Sequence, residues 1–306
     1  MKTLASLPLL LLPFAACGSP VGDDPGELSV VASFYALEYV ADRIAGEHAE
    51  VTNLTAPGAE PHDAELTIAQ TAEVVDADVL VYLPGFQPAV DDAATQAEDA
   101  EVVDVAAPAD LVPLEGEHGD EHGEAEEHSE EGGTLDPHFW LDPVRLAAVA
   151  GAVADGLSAA DPENADSYAS NAARLEEELA RLDREISTGL DDCERRTVVV
   201  SHDAFGYWGD RYDLDMHAIA GLSPESEPSS EHLAELQELI RAEGVTTVFS
   251  ETLASPEMAE TLSSDLGLQT AVLDPIEGLS DETADEDYLS LMRQNLEALQ
   301  EANGCG

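Results

Sequence analysis

Short apolar runs alternate along this chain with segments of helical periodicity. Leu28 to Phe34 reads as a buried strand, followed by a helix from about Tyr35 to Ile44. Val51 to Thr55 is a second strand, closed by the Pro57-Gly58 turn, and Ala64 to Val75 is the next helix. Val79 to Leu83 and Val102 to Val105 supply two more strands. Two helices follow, Val144 to Ser158 and Ala165 to Ile186, and in the second Leu175, Leu179, Leu182 and Ile186 recur at three- to four-residue spacing. Thr197 to Ser201 starts the order again. Strands alternating with helices predict parallel sheets, whose ligand sites lie beyond the carboxyl ends of the strands.

The restart has the character of an internal repeat. Val30-Val31-Ala32-Ser33 with Tyr39-Val40-Ala41-Asp42-Arg43 parallels Val198-Val199-Val200-Ser201 with Tyr207-Trp208-Gly209-Asp210-Arg211. Glu60-Pro61-His62-Asp63-Ala64-Glu65-Leu66 parallels Glu227-Pro228-Ser229-Ser230-Glu231-His232-Leu233 at nearly the same offset. The expected fold class is therefore α/β, with two similar lobes whose mainly parallel sheets are flanked by helices. The expected divisions are a signal peptide at 1–16, an acidic spacer at 17–27, a first lobe at 28–160, a connecting helix at 161–190 and a second lobe at 191–306.

Candidate chemistry gathers in the strand-end loops. His62 stands in Glu60-Pro61-His62-Asp63, His138 in Asp136-Pro137-His138-Phe139-Trp140-Leu141-Asp142-Pro143, and His202 in Val200-Ser201-His202-Asp203-Ala204-Phe205-Gly206-Tyr207. A proline before the imidazole biases the loop away from helix and preorganises the side chain. One histidine near a strand end is usually a surface or hydrogen-bonded residue. Three in such settings suit a borderline-soft divalent cation, zinc above all. In the register of the repeat His62 aligns with Ser229 and His202 with Phe34, so each lobe offers its histidine at a different strand end, which suits one shared site. For the fourth ligand Asp274, in Val272-Leu273-Asp274-Pro275-Ile276, is favoured; Glu60, Glu251 or a water molecule are the alternatives.

Composition adds where the protein works. Of 306 residues, 66 are Asp or Glu against 11 Lys or Arg, a formal net charge of -55, and the lone lysine is Lys2. A chain 44% hydrophobic with clear strands is not an acidic disordered tail. Such charge density is tolerable where salt screens it within a few Å, so the composition reads as adaptation to a high-salt habitat. It opposes nucleic-acid binding, which needs a basic face. Lys2 and the apolar stretch Leu4 to Leu12 form an export signal. In Phe14-Ala15-Ala16-Cys17-Gly18-Ser19 the cysteine is placed for lipidation, and the simpler reading is an ordinary cleaved signal with a free Cys17. Cys193 and Cys305 remain as a candidate disulfide pair. Residues 115–133 form a His/Glu-rich insertion expected to be solvent-exposed; His118, His122 and His128 would there collect zinc weakly, or be incidental in a polar linker.

Together these motifs, with Phe249-Ser250-Glu251 and Leu273-Asp274-Pro275, resemble the metal-binding lipoproteins of bacterial zinc and manganese ABC importers. The resemblance spans nearly all of the mature chain. It implies two α/β lobes joined by one long helix, a metal site in the cleft between them, and His62, His138 and His202 as ligands. It also implies an ABC permease with its ATPase subunit as partners, a monomer, and a place on the outer face of the cytoplasmic membrane or in the periplasm. Manganese members usually carry a carboxylate where His202 stands, so a third imidazole favours zinc over manganese. No HExxH helix, GxSxG elbow or phosphate-cradling glycine loop appears, so no enzymatic activity is expected. The competing readings are a secreted zinc hydrolase using the same three histidines, a manganese-binding member, and an adhesin.

Overall fold

A computed structural model describes residues 28–114 and 135–306. Cys17, His118, His122 and His128 lie outside the described residues. The first half runs β1 (Leu28–Ala32), α1 (Tyr35–Ala45), β2 (Ala49–Asn53), α2 (Ile68–Asp76), β3 (Val79–Tyr82), α3 (Pro88–Ala94), β4 (Glu101–Asp104) and the short α4 (Ala106–Ala109). After a 3₁₀ turn at Phe139–Leu141 come α5 (Pro143–Ala160) and the 26-residue α6 (Ala165–Leu190). The second half runs β5 (Thr197–Val200), α7 (Gly206–Tyr212), β6 (Asp215–Ala218), α8 (Ser230–Glu243), β7 (Thr247–Ser250), α9 (Glu257–Leu266), β8 (Gln269–Val272) and α10 (Tyr288–Asn303).

Both sheets are parallel and four-stranded, ordered β2-β1-β3-β4 and β6-β5-β7-β8. The two α/β lobes expected from the repeat are thus present with the same strand order. Several expected boundaries move by a few residues; the strand expected at Val51–Thr55 runs Ala49–Asn53 and the connecting helix starts at Ala165. The helix placed at Ala64 starts at Ile68, because Thr67 and Gln70 form a capping box in which each side chain satisfies the other's backbone N–H.

Strand alternation shows how the lobes are joined. In β1, Val30 and Ala32 face one core and Val31 another; in β5, Val198 and Val200 face the first and Val199 a third. The outward cores, one under α2 and α3 and the other under α8 and α9, belong to single lobes. The inward faces of both sheets share one core with α1, α5, α6 and α10, centred on Phe34, Trp140, Phe205, Trp208 and Tyr288. Helix α6 lies along it with Tyr168, Leu175, Leu179, Leu182 and Ile186 buried. Asn171 Nδ2 donates to the Ile44 carbonyl on the first lobe, and Arg293 pairs with Glu185 on the second. Lobes that share a core cannot swing apart without exposing it, so movement at the cleft falls to loops and side chains. Helix α5 is apolar and long enough to cross a membrane by composition, but Leu146, Val149, Val153 and Leu157 are spent on this core.

Cys193 and Cys305 are joined as a disulfide across 112 residues of sequence, tying the chain end to the approach to β5. Closing a loop of that length removes much entropy from the unfolded chain. Replacing both cysteines by alanine is expected to lower stability by about 3–5 kcal/mol. A drop in the urea midpoint would measure it, and an unchanged midpoint would show that the bond does not constrain the unfolded state.

Candidate metal centre

His138 lies at the floor of the cleft, in a segment clamped from both sides. The Asp136 N–H donates to the Val112 carbonyl and the Trp140 ring packs on Phe34 of the first lobe. Aromatic donors hold the segment from the second lobe. The carbonyls of Asp136, Trp140 and Leu141 accept hydrogen bonds from Tyr207 Oη (2.8 Å), Tyr288 Oη (2.6 Å) and Trp208 Nε1 (2.7 Å). Trp140 Nε1 in turn donates to the Pro275 carbonyl at 2.7 Å. These aromatic donors are buried with their polar tips satisfied, so the segment is fixed by packing and hydrogen bonding at once. The run Asp136 to Pro143 is therefore a structural spine as well as the carrier of a candidate ligand.

His138 and His202 are oriented by the same device. Asp136 Oδ1 accepts both the backbone N–H of His138 (2.9 Å) and its ring Nδ1–H (2.7 Å). Glu251 Oε1 does the same for His202, at 3.1 and 2.7 Å, and also accepts Ser201 Oγ–H at 2.6 Å. A carboxylate on Nδ1 fixes the tautomer and aims the Nε2 lone pair outward. Glu251 thus orients the His202 imidazole. His62, from the loop between β2 and α2, is held differently: its ring packs edge-on against Phe86 with centroids 4.8 Å apart. Its side chain is 12% exposed, whereas those of His138 and His202 are wholly buried. An apolar cavity of about 340 Å³, lined in part by His62, Leu83, Phe86, Leu111, Pro137 and Leu222, opens beside it.

The three Nε2 atoms meet one carboxylate, that of Glu277. Among the described residues, one group of metal-donor side chains converges, and it is His62, His138, His202 and Glu277, with all four donor atoms within 4.8 Å of one another. Glu277 Oε1 lies 3.1 Å from His62 Nε2, 3.2 Å from His138 Nε2 and 3.6 Å from His202 Nε2. His138 Nε2 is 3.2 Å from that of His62 and 3.4 Å from that of His202. A tetrahedron with metal–ligand bonds of 2.0–2.1 Å has edges of about 3.3–3.4 Å. Five of the six edges thus match a four-coordinate cation of zinc's size.

The sequence placed Asp274 or, failing that, Glu60 or Glu251 as the fourth donor. The structure brings none of the three into the cluster. Asp274 is turned away, accepting Thr252 Oγ1–H (2.7 Å) and the backbone N–H of Ile276 (2.8 Å). Glu60 accepts the backbone N–H of His62 beside the cluster. Glu277, which sequence reasoning missed, is reached because the chain turns at Ile276, a β-branched residue with φ +57°. A left-handed conformation there costs about 1–2 kcal/mol. The only sequence signal was a glutamate two residues beyond a strand-end Asp-Pro.

Electrostatics follow the geometry. Burial disfavours charge on His202, but its hydrogen bonds to Glu251 and Glu277 outweigh this and its pKa is pushed up to about 10. His138 is likewise raised, burial being outweighed by Asp136 and Glu277. Burial would raise the Glu277 carboxyl, yet the hydrogen bonds from the three imidazoles hold it well below the usual range. Glu60 goes the other way, to about 8, through burial and the nearby charge of Glu277. Protons shared between imidazoles and Glu277 thus occupy the ligand set until a cation displaces them.

Comparisons with known proteins point to a family. The family model described as zinc-uptake complex component A, periplasmic, matches residues 30–302. The zinc-binding lipoprotein AdcA of Streptococcus pneumoniae is 36% identical over 305 residues, covering 97% of this chain and 60% of the relative. The chain therefore spans about 60% of the length of that relative. The high-affinity zinc uptake system protein ZnuA of Bacillus subtilis is 33% identical over 296 residues, covering 94% of this chain and 93% of the relative. Among solved structures, the Zn(II)-bound ZnuA-like domain of the pneumococcal AdcA superposes with a TM-score of 0.75 at 32% identity, over 91% of this chain and 99% of that one. The laminin-binding protein Lmb of Streptococcus agalactiae, described as bifunctional with adhesin and metal-transporting activity, has a TM-score of 0.78 at 28% identity over 90% of this chain and 99% of that one. With a family model running through both sheets, the connecting helix and all four converging side chains, the chain belongs to the family of the periplasmic component A of zinc-uptake complexes.

Proposed function

We propose that the protein captures a single zinc ion outside the cytoplasm and delivers it to the membrane permease of an ABC importer, which works with an ATPase subunit. The observation that carries this reading is the convergence of three imidazole Nε2 atoms and one carboxylate oxygen at tetrahedral spacing. Three soft nitrogens with one oxygen suit zinc better than manganese, which favours oxygen donors and higher coordination. Four protein donors also close the coordination sphere. A catalytic zinc keeps a position open for water, so capture is favoured over hydrolysis and no enzymatic role is assigned. Zinc here is cargo, and the names of the relatives point the same way.

His138, His202 and Glu277 are fully or almost fully buried, His138 on a segment clamped between the two lobes. His62 is partly exposed, beside the apolar opening. Zinc would thus seat on three fixed donors and be completed by His62. The export signal, lipidation at Cys17 to hold the protein at the membrane, zinc collection by His118, His122 and His128, and work as a monomer in a saline setting belong to the same proposal. They rest on the sequence and on the names of lipoprotein relatives.

Equilibrating the purified protein with zinc and manganese together, then measuring bound metal after gel filtration, is expected to give one zinc per chain and no manganese. Preferential manganese loading would overturn the proposal.

A further inference from the structure

The turn that delivers Glu277 is held by three residues outside it, Thr252, Asn295 and Trp140. Asp274 is buried, and its two oxygens take the Thr252 hydroxyl and the Ile276 N–H. Its own backbone N–H donates to Asn295 Oδ1 at 2.8 Å, and its carbonyl accepts Asn295 Nδ2–H at 2.6 Å, which ties the turn to α10. Pro275 gives its carbonyl to Trp140 Nε1, two residues beyond His138. Ile276 is fully buried in the left-handed region, where a β-branched side chain stays only if its surroundings over-determine it.

We infer that Asp274 is a positioning residue: by holding the N–H of the left-handed Ile276 it fixes the Glu277 carboxylate at the tetrahedral corner, and so sets the site's preference for a four-coordinate cation. This rests on the reading of Glu277 as the fourth donor. Without the clamp the chain at Ile276 relaxes toward negative φ, and the carboxylate beyond it loses its fixed distance to the three imidazoles. A loosened carboxylate still reaches a cation, but water joins the shell and the coordination number rises. Selectivity against larger, six-coordinate ions falls with it. The Trp140–Pro275 bond extends the device, since it locks the turn to the segment that carries His138.

Competition titration of zinc into the full chain tests this with Asp274→Ala, Asp274→Asn, Glu277→Ala and the double variant Asp274→Ala/Glu277→Ala, alongside visible spectra of the cobalt-loaded forms. Asp274→Ala is expected to weaken zinc by about 10- to 100-fold, the range for residues that orient a ligand. Its cobalt bands should lose intensity as the coordination number rises. Asparagine, which can still accept the Ile276 N–H, should restore most of the affinity and the tetrahedral bands. The double variant should bind no more weakly than Glu277→Ala alone, because the clamp acts only through that carboxylate. If the alanine variant does not fold, Thr252→Val, which frees one Asp274 oxygen, carries the same non-additivity test. Wild-type affinity and bands in Asp274→Ala, with Glu277→Ala impaired, would overturn the inference, as would losses that multiply in the double variant. Unimpaired zinc binding by Glu277→Ala would instead remove the fourth donor itself, and the inference with it.

Discussion

Replacing His138 with alanine is expected to weaken zinc binding by roughly two to three orders of magnitude while the metal-free chain stays folded. Tetrahedral protein zinc sites hold their ion with about 10–16 kcal/mol, so each of four donors carries roughly 2.5–4 kcal/mol. His138 is the most constrained of the four, fully buried, with Nδ1 on Asp136 and its segment clamped by Tyr207, Trp208 and Tyr288. Water cannot readily take its place. His62→Ala is expected to cost less, because His62 is partly exposed beside a cavity that admits a substitute ligand. In His138→Ala the Asp136 carboxylate loses its ring partner, which costs about 1–3 kcal/mol of stability. Competition against a chelator of known affinity measures the first effect and thermal melting the second. Equal losses for the two histidines would contradict the picture of three fixed donors and one adaptable one.

The second large effect is on pH dependence. In the metal-free chain the His202 imidazole is pushed up to about 10, with burial outweighed by Glu251 and Glu277, and His138 is shifted in the same direction. Zinc binds only the deprotonated rings. Binding therefore releases protons at every pH below about 10, and affinity rises with pH throughout that range. Each proton released contributes about tenfold per pH unit, so affinity at pH ~8 should exceed that at pH ~6 by at least about 100-fold. For the metal-free fold the sign is opposite. The stability contributed by a raised His202 is fully present below the ordinary value of 6.5 and is lost as pH climbs through about 10. Calorimetry in buffers of different ionisation enthalpy counts the protons directly. Affinity that does not change between the two pH values would contradict the proton-filled ligand set.

The three imidazoles were legible from their local motifs, two of them after a proline; His62 and His202 do follow strands β2 and β5, whereas His138 comes from the segment before α5 and not from a strand end. The repeat made the paired sheets legible, since Val30-Val31-Ala32 and Val198-Val199-Val200 carry the same buried pattern and occupy equivalent central strands. Glu277 was hidden for a physical reason. Asp274-Pro275 has the look of a ligand at a strand end, and nothing in an isoleucine announces a left-handed residue that swings the next side chain into the cleft. Glu251 was offered as a fourth donor, and in the structure it holds Nδ1 of His202; a carboxylate that orients an imidazole and one that would bind an ion look alike in sequence. The shared core was also out of reach. Phe34, Trp140, Phe205, Trp208 and Tyr288 sit in loops or at helix starts, where no periodicity shows that they meet. On the proposed reading, zinc coordination would act on His62 and its loop and not move the two lobes as rigid bodies, because they share this core.

X-ray absorption at the zinc edge of the loaded protein tests the central claim most directly. Three imidazole nitrogens and one carboxylate oxygen in a single shell at about 2.0–2.1 Å, with no exchangeable water, are the predicted result. A five- or six-coordinate shell dominated by oxygen would contradict the closed site built by His62, His138, His202 and Glu277.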